Sequence, residues 1–550
     1  MTLPAKFRFR NSDSIGAADA EEDLRFLRNC FVDIGYLDSL RDCDDPKRIV
    51  IGRTGSGKSA LLLHLRELED HVIEIKPESL ALAYISNSNV LDFFSNIGVR
   101  LDVFYKLLWR HVFAVEILKH HFHINSESEK RNFLVRIRDL FKNNKKDETA
   151  IEYLEKWGKS FWQETEYRIK EITNKVEDEL KASAISQVPG INFSGGGSIV
   201  LSEEQKTEIV NKAQHVVNDA QIRELSDIID LIDNVISDRK KRYYIVIDRL
   251  DENWVDDKLR YRLVRALIET VRDFRKVRGV KIIISIRYDL LRRVFSQTRD
   301  AGFQEEKYDS LYLRMKWDRD SMKSMLDKRI NYLVKQRYTN QEVGYKELLP
   351  KQIKGYDPFS YMVERTLMRP RDLISFFNYC IEQSINSPVV SGIVLLNAEY
   401  LYSRARLKSL ADEWYADYPS LLDYAKILKN RPPIFSISLI TDKEIEELCL
   451  AVAAEKGLRK DNLSEIGFSI AEGLSGAYEM KFMLVKIFYI VGLIGIKNGS
   501  YSEYVWSYKD EGMLYDGDSN DEVKIAIHPM FYMSFGVKAH SMRQRSTRRD

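Results

Sequence analysis

Cysteine is scarce in this chain. Its four thiols, Cys30, Cys43, Cys380 and Cys449, stand far apart with none of the spacings that ligate a metal. That pattern excludes a disulfide framework and fits reduced thiols in a cytosolic protein. Long apolar runs are lacking as well. The longest, Phe482 to Ile496, is interrupted by Lys486 and is too short to cross a bilayer. No signal-peptide pattern opens the sequence, so the expectation is a cytoplasmic protein with no membrane span. Charge of one sign is missing too. Lys and Arg number 85 against 83 Asp and Glu, a net of +2, so overall charge does not announce a nucleic-acid partner, although local patches could. What remains is a chain of 550 residues, 44% hydrophobic and 11% aromatic, enough for a real core. Its length leaves room for about three or four domains, and a charged fraction of 31% suits long exposed helices.

One stretch organises the rest. Ile49-Val50-Ile51 reads as a buried strand, and Ala60-Leu61-Leu62-Leu63-His64-Leu65 as the start of a helix. Between them Gly52-x-x-x-x-Gly57-Lys58-Ser59 satisfies the phosphate-loop pattern. Chance could place Gly-Lys-Ser in a turn, but strand, glycine loop and helix in this order are what phosphate binding needs. Glycines let backbone N–H groups turn inward around an anion, and the helix N-terminus adds partial positive charge there. Gly52, Thr54, Gly55, Ser56, Gly57, Lys58, Ser59 and Ala60 are the expected nucleotide-binding residues. Lys58 would bridge the β- and γ-phosphates, and Ser59 would offer its hydroxyl to Mg²⁺. The implied ligands are ATP and Mg²⁺.

Further along, Tyr243-Tyr-Ile-Val-Ile-Asp248 reads as a buried strand with a carboxylate at its C-terminal tip, where ligands sit in an open α/β sheet. Asp248 is the expected second metal residue. Asp251 and Glu252 lie just beyond it, and one of them would orient and deprotonate an attacking water. The alternative is a helix N-terminus with acids placed for its dipole. A fourth strand, Val280 to Arg287, ends in Ser285 and Arg287, which should reach the γ-phosphate side. In Met368-Arg369-Pro370-Arg371-Asp372, Pro370 opens a helix and Arg371 sits in its first turn, where a cation opposes the dipole. Arg371 either reaches the triphosphate from a lid or pairs with Asp372 at the surface.

The chain then divides as follows. Residues 1–45 are a lead-in packed on the nucleotide core, and residues 46–85 with 240–335 form that core. Residues 86–239 are a helical insertion. Within it, residues 90–122 read as a buried helix pair whose His111, His120 and His121, with His123 just beyond, are either polar-face residues or a metal cluster lacking acidic or thiol partners. Heptad-like runs over 149–183 and 203–238, joined through a glycine-rich 187–198, read as an antiparallel arm for a protein partner or neighbouring subunit, or as a layer over the core. Residues 336–408 are a helical lid. Residues 409–537, with helices over 440–454 and 480–491 and short strands at 494–497, 503–507 and 523–528, suggest a winged helix. Residues 538–550 are a basic tail.

Gly52–Ser59, Ile245-Val-Ile-Asp-Arg-Leu-Asp-Glu252, Ile282–Arg287, Trp317-Asp318 and Arg369-Pro-Arg-Asp372, in that order, resemble the bacterial FunZ-type P-loop ATPases, near the STAND/KAP and origin-recognition branches of AAA+ ATPases. Gly16-Ala-Ala-Asp-Ala-Glu21 and His528-Pro-Met-Phe531 are similar to that family too. The resemblance implies an α/β fold with a parallel sheet, the strand after the phosphate loop at an edge and Asp248 next to the loop. It implies that Asp248 is the Walker B metal residue, Glu252 or Asp251 the water activator, Arg287 a sensor-1 and Arg371 a sensor-2 residue. Arg249 departs from the small residue of related Asp-Gly-Leu-Asp-Glu signatures, and Arg292, Arg293, Arg299 and Arg314 all remain candidates for an arginine finger. Such families are linked to mobile elements and antiviral defence. The expected activity is Mg²⁺-dependent ATP hydrolysis by a motor or switch, as a homo-oligomer or on double-stranded DNA held by the C-terminal domain. The alternatives are a nucleotide-gated scaffold with little hydrolysis and a small-molecule kinase, against which Asp251 and Glu252 argue.

Overall fold

The computed structural model describes residues 7–77, 102–121, 229, 232–233, 236, 241–252, 254–299, 304–335, 342–456, 462–497, 503–509 and 523–538. The chain separates into two compact units, one of Gly35–Arg53 with Leu61–Met315, the other of Met1–Ile34, Thr54–Ala60 and Lys316–Asp550. The expected helical arm over 149–183 and 203–238 lies almost wholly outside the described residues, as do residues 90–101 of the expected helix pair.

The first unit is built on apolar runs too continuous for a one-sided sheet. Strands β1 (Ile49–Gly52), β2 (Val72–Ile75), β3 (Tyr243–Ile247), β4 (Val280–Arg287) and β5 (Tyr312–Arg314) form one parallel sheet in the order β2-β3-β4-β1-β5. β1 and β3 are buried throughout, as a parallel sheet covered on both faces requires. The longer helices are α1 (Lys58–Leu68), α2 (Asp102–His121), α3 (Asp257–Asp273) and α4 (Tyr288–Thr298). Asp256 caps α3 by accepting from the amide of Leu259. Trp109 of α2 donates its indole N–H to the carbonyl of Leu263 in α3, 2.9 Å away. His121 bonds the hydroxyl of Tyr243 at 2.8 Å. This strand order, with a glycine loop between β1 and α1, is that of a P-loop NTPase fold, with β2 at an edge as expected. One expectation is corrected. β4 lies between β1 and β3, so the neighbour of the loop strand is the strand ending in Arg287, and Asp248 stands one strand further away.

The N-terminal end of the central strand, β4, is pinned by a buried lysine. Lys281 of β4 has no exposed surface and donates to the carbonyls of Ser39, Asp42 and Asp45. Burial, helped by nearby Arg48, lowers its pKa to about 8.

The second unit begins with the lead-in. Only part of the expected 1–45 segment belongs here. Phe7, Phe9 and Ile15 enter its core, and the short helix Leu24–Cys30 follows. Phe9 exchanges backbone hydrogen bonds with Asn386 and Ser387 at 2.8 and 3.0 Å, and buried Asp23 pairs with buried Arg329. Residues 35–45 belong to the sheet unit instead. Helices α5 (Arg319–Lys335), α6 (Pro370–Glu382) and α7 (Gly392–Glu413) follow. Then come β6 (Ile434–Ser436), α8 (Asp442–Lys456), α9 (Asn462–Ala471), α10 (Ala477–Val491), β7 (Ile494–Lys497) and β8 (Lys524–Ile527). Gly492 ends α10 at φ 94°, a left-handed cap that glycine adopts without strain. A single core runs through Leu326, Phe377, Tyr402, Leu428, Met480 and Ile527, so the expected lid and C-terminal domain share it.

The small sheet is antiparallel in the order β6-β8-β7. Its third strand is not the expected 503–507, which contributes only the bridge between Ile496 and Val505. β6 takes that place. Three residues after Pro432-Pro433 are too few to show an alternation. Among the described residues no helix is long and apolar enough to cross a membrane.

His528, which begins the turn after β8, is buried. Its Nδ1 accepts from the amide of Met530 and its Nε2 meets the hydroxyl of Tyr508, each at 3.1 Å. Burial drops its pKa from 6.5 to about 3, with Lys509, Arg365 and Arg369 acting in the same direction and Asp372 against them. Below pH 6.5 the unfolded chain therefore binds a proton that the folded chain refuses. Stability contributed above that pH is lost as pH falls toward 3, by about 1.4 kcal/mol per unit. Denaturant titrations between pH 6 and 4 should show this slope in the wild type and a shallower one in His528→Asn, which keeps a cap acceptor. Equal slopes would contradict it.

Candidate nucleotide-binding site

The loop after β1 belongs to the second unit from Thr54 to Ala60. Gly55 and Gly57 have φ of 79° and 96°, which side-chain-bearing residues rarely adopt. Three successive carbonyls of the loop are each held from outside. Thr54 O accepts from the Arg369 guanidinium at 3.1 Å, Gly55 O from the amide of Arg371 at 3.4 Å, and Ser56 O from the indole of Trp317 at 2.8 Å. In a trans peptide the C=O of one residue and the N–H of the next point opposite ways. Holding these carbonyls therefore aims the N–H groups of Gly55, Ser56 and Gly57 to the other side, the arrangement that cradles an anion.

Two features of the loop fit a phosphate. Among the described residues the buried hydroxyls of Thr54 and Ser56 have no hydrogen-bond partner, a cost that a bound polar group would relieve. A Cβ on Gly55 would come within 2.7 Å of Arg371, so glycine is the residue that admits the arginine. Lys58, nearly buried, opens α1 with Ser59 and Ala60 in its first turn. A lysine ammonium and a serine hydroxyl here are the donor set for a triphosphate and a hard divalent cation.

Arg371 lies across Gly55 and donates from Nε to the carbonyl of Ala18, 2.8 Å away. Burial and then Arg369 lower its pKa. It is not paired with Asp372. That carboxylate, without exposed surface, is held by Arg369 at 2.8 and 3.1 Å, by Arg406 at 3.4 Å and by the amide of Leu367 at 3.1 Å. Burial opposes its charge, but Arg369 and Arg406 outweigh it and keep its pKa below the usual carboxylate range. Arg369 also meets Glu413 at 3.1 Å. Of the two expectations for Arg371, pairing with Asp372 at the surface is therefore not met, because Arg369 and Arg406 take that carboxylate. Asp372 is the third helical residue, and from there a short side chain turns back toward the residue before the helix.

In the sheet unit the C-terminal strand ends carry the other expected residues. Gly52 of β1 stands in register with Arg287 of β4, and Asp248 follows Ile247, which pairs with Ile284. Asp248 accepts from the amide of Arg249 at 2.9 Å. Arg249 has φ 61°, the left-handed conformation that the small residue of related signatures adopts at less cost. Arg287 grips buried Asp289 with two hydrogen bonds of 2.9 Å and reaches Asp251 at 3.1 Å. Arg293 bonds Asp289 as well, at 2.6 Å, so this candidate finger faces inward. Arg260 donates to the carbonyls of Asp251 and Glu252 and fixes their turn. The Glu252 carboxylate is half-exposed and meets Arg249 at 3.5 Å. Asp289 and Arg260 were missed because an acid in a helix's first turn and a cation on a helix look ordinary in sequence.

Residues 320–411 match a family model described as the FunZ-associated C-terminal helical domain. The chain is 23% identical over 545 residues to the transposon gamma-delta 80.3 kDa protein of Escherichia coli (strain K12), covering 96% of this chain and 68% of the relative. Among solved structures it aligns with Cdc6p from Pyrobaculum aerophilum at 10% identity and a TM-score of 0.26, over 93% of this chain and 90% of that one. The matched segment contains Arg369-Pro-Arg-Asp372, and with the transposon relative aligned over most of this chain it bears out the resemblance to FunZ-type proteins.

Proposed function

We propose that the protein binds ATP with Mg²⁺ and hydrolyses it, using the cycle to switch a conformation or assembly. The observation that carries this reading is the loop with its three held carbonyls, its opposed N–H groups and Lys58 at the start of α1. In the proposal the loop amides and Lys58 bind the phosphates, and Arg371 neutralises charge from the side of Gly55. Ser59 and Asp248 would hold Mg²⁺, which when bound would supply charge neutralisation on the phosphate oxygens. Glu252 takes the proton of the attacking water, and Arg287, steadied by Asp289, stabilises developing charge. The choice of Glu252 over Asp251 is supported by the ion pair of Asp251 with Arg287 at 3.1 Å, which gives Asp251 a part in placing that arginine. A scaffold with little turnover would share every binding contact and differ only in hydrolysis.

Lys58→Ala tests the nucleotide assignment. It removes a charge-assisted contact of about 1.5–3 kcal/mol, or roughly tenfold or more in affinity. Titration with a fluorescent ATP analogue reads this, and equal affinity of variant and wild type would sink the assignment.

For the partner, the strand-helix-hairpin order of 434–527 and the sheet order β6-β8-β7 support a winged-helix reading and hence double-stranded DNA. The cations for it would come from the tail, with Lys538, Arg543, Arg545, Arg548 and Arg549. A protein partner is the second reading, favoured by charge. Residues 510–522 carry six carboxylates and no cation, and the turn into α10 and its first turn expose Leu474, Tyr478 and Glu479. Binding of labelled duplex that weakens steeply with salt supports DNA; duplex binding that survives deletion of 538–550 removes the tail's role. A link to transposons belongs to this proposal too, supported by the name of the Escherichia coli relative; a part in antiviral defence is implied by the family resemblance alone.

A further inference from the structure

We propose that Arg369 and Trp317 are positioning residues of the phosphate loop: they fix the peptide planes that direct the amides of Gly55 and Gly57 at a phosphate. This rests on the nucleotide reading above and goes beyond it by assigning work to two side chains that need not touch the ligand.

The geometry is specific. A loop with two glycines at positive φ has peptide planes that can flip, and a flip at residue 54 or 56 would turn a carbonyl oxygen toward the phosphate in place of an N–H. Arg369 holds the first plane through Thr54 O and Trp317 holds the third through Ser56 O, at 3.1 and 2.8 Å. The plane between them is held by the backbone of Arg371. A guanidinium can serve this purpose only if it is itself immobile. Arg369 is: Asp372 takes two of its N–H groups, Glu413 shares the N–H side that faces Thr54, and the group is buried.

α7 supplies this anchorage in a regular way. Glu399, Arg406 and Glu413 stand at seven-residue steps, about two turns apart, on one face. Each meets one charged residue of the 365–372 segment: Glu399 meets Arg365, Arg406 meets Asp372, and Glu413 meets Arg369. The Glu399–Arg365 pair is as buried as the others and makes no contact with the loop among the hydrogen bonds described. It is an internal control for a purely structural role.

The test is nucleotide affinity of the full chain, read by titration with a fluorescent ATP analogue and with ADP in competition, beside thermal unfolding. Trp317→Phe keeps a ring and removes the indole N–H. Glu413→Gln keeps the shape and weakens the hold on Arg369. Each should weaken both nucleotides about three- to tenfold, and Arg369→Lys should bind better than Arg369→Ala. Glu399→Gln should lower thermal stability and leave affinity unchanged. Wild-type binding that Trp317→Phe and Glu413→Gln leave intact overturns the positioning role alone. So does an equal loss of affinity in Glu399→Gln, which would mark a general effect of stability. Failure of the wild type to bind either nucleotide overturns the nucleotide reading, and the positioning role with it.

Discussion

Glu252→Gln should lower steady-state phosphate release by about 10²–10⁴-fold, the usual contribution of a positioned general base, while ATP affinity stays at the wild-type level. Glutamine keeps the size and the hydrogen-bonding oxygen but cannot take a proton. The turn that presents residue 252 is held by other residues as well: by Arg260 on the carbonyls of Asp251 and Glu252, and by Trp254 on the carbonyl of Leu250 at 3.2 Å. The substitution should therefore leave local structure intact. Asp251→Asn should behave differently, because it breaks the ion pair with Arg287. Its loss would enter through the placement of Arg287. Turnover that survives in Glu252→Gln and collapses in Asp251→Asn would exchange the two roles.

Asp372→Ala should destabilise the chain by about 3–5 kcal/mol, the cost of leaving buried charge without its partner. The carboxylate has no exposed surface and serves Arg369, Arg406 and the amide of Leu367 together. Removing it takes this acceptor from Arg406 and the Leu367 amide and leaves Glu413 as the carboxylate on Arg369. Asp372→Asn should cost less, since an amide oxygen still accepts, though it removes the same negative charge. Because Arg369 also holds Thr54 O, either change should weaken ATP binding as well as stability. Denaturant unfolding of the full chain measures the first effect; a loss under 1 kcal/mol, the range of an exposed ion pair, would contradict the buried network.

The parallel sheet was legible because its strands are continuous apolar runs. Ile49–Ile51, Tyr243–Ile247 and Val280–Ile286 are buried almost without interruption. The phosphate loop was legible because glycine, lysine and serine are needed at fixed spacing for one purpose. Pairings between distant side chains were not. That Arg287 grips Asp289 depends on the turn from β4 into α4, and that Asp372 takes Arg369 in preference to Arg371 depends on which way the first helical turn faces. The three-residue strand β6 gives no periodicity to detect; it exists because β8 offers it a ladder. The role of α7 was hidden for a similar reason. Its Glu399, Arg406 and Glu413 look like solvated charges in sequence, and only the partners on 365–372 show that they face inward.

The measurement that bears most directly on the central claim is steady-state phosphate release by the purified full chain with ATP and Mg²⁺, run beside Lys58→Ala and Glu252→Gln. Release by the wild type that both substitutions abolish is the expected result. No release from a chain that binds ATP tightly would contradict hydrolysis and leave a nucleotide-gated scaffold. Release that persists in both variants would contradict the assignment of the site itself.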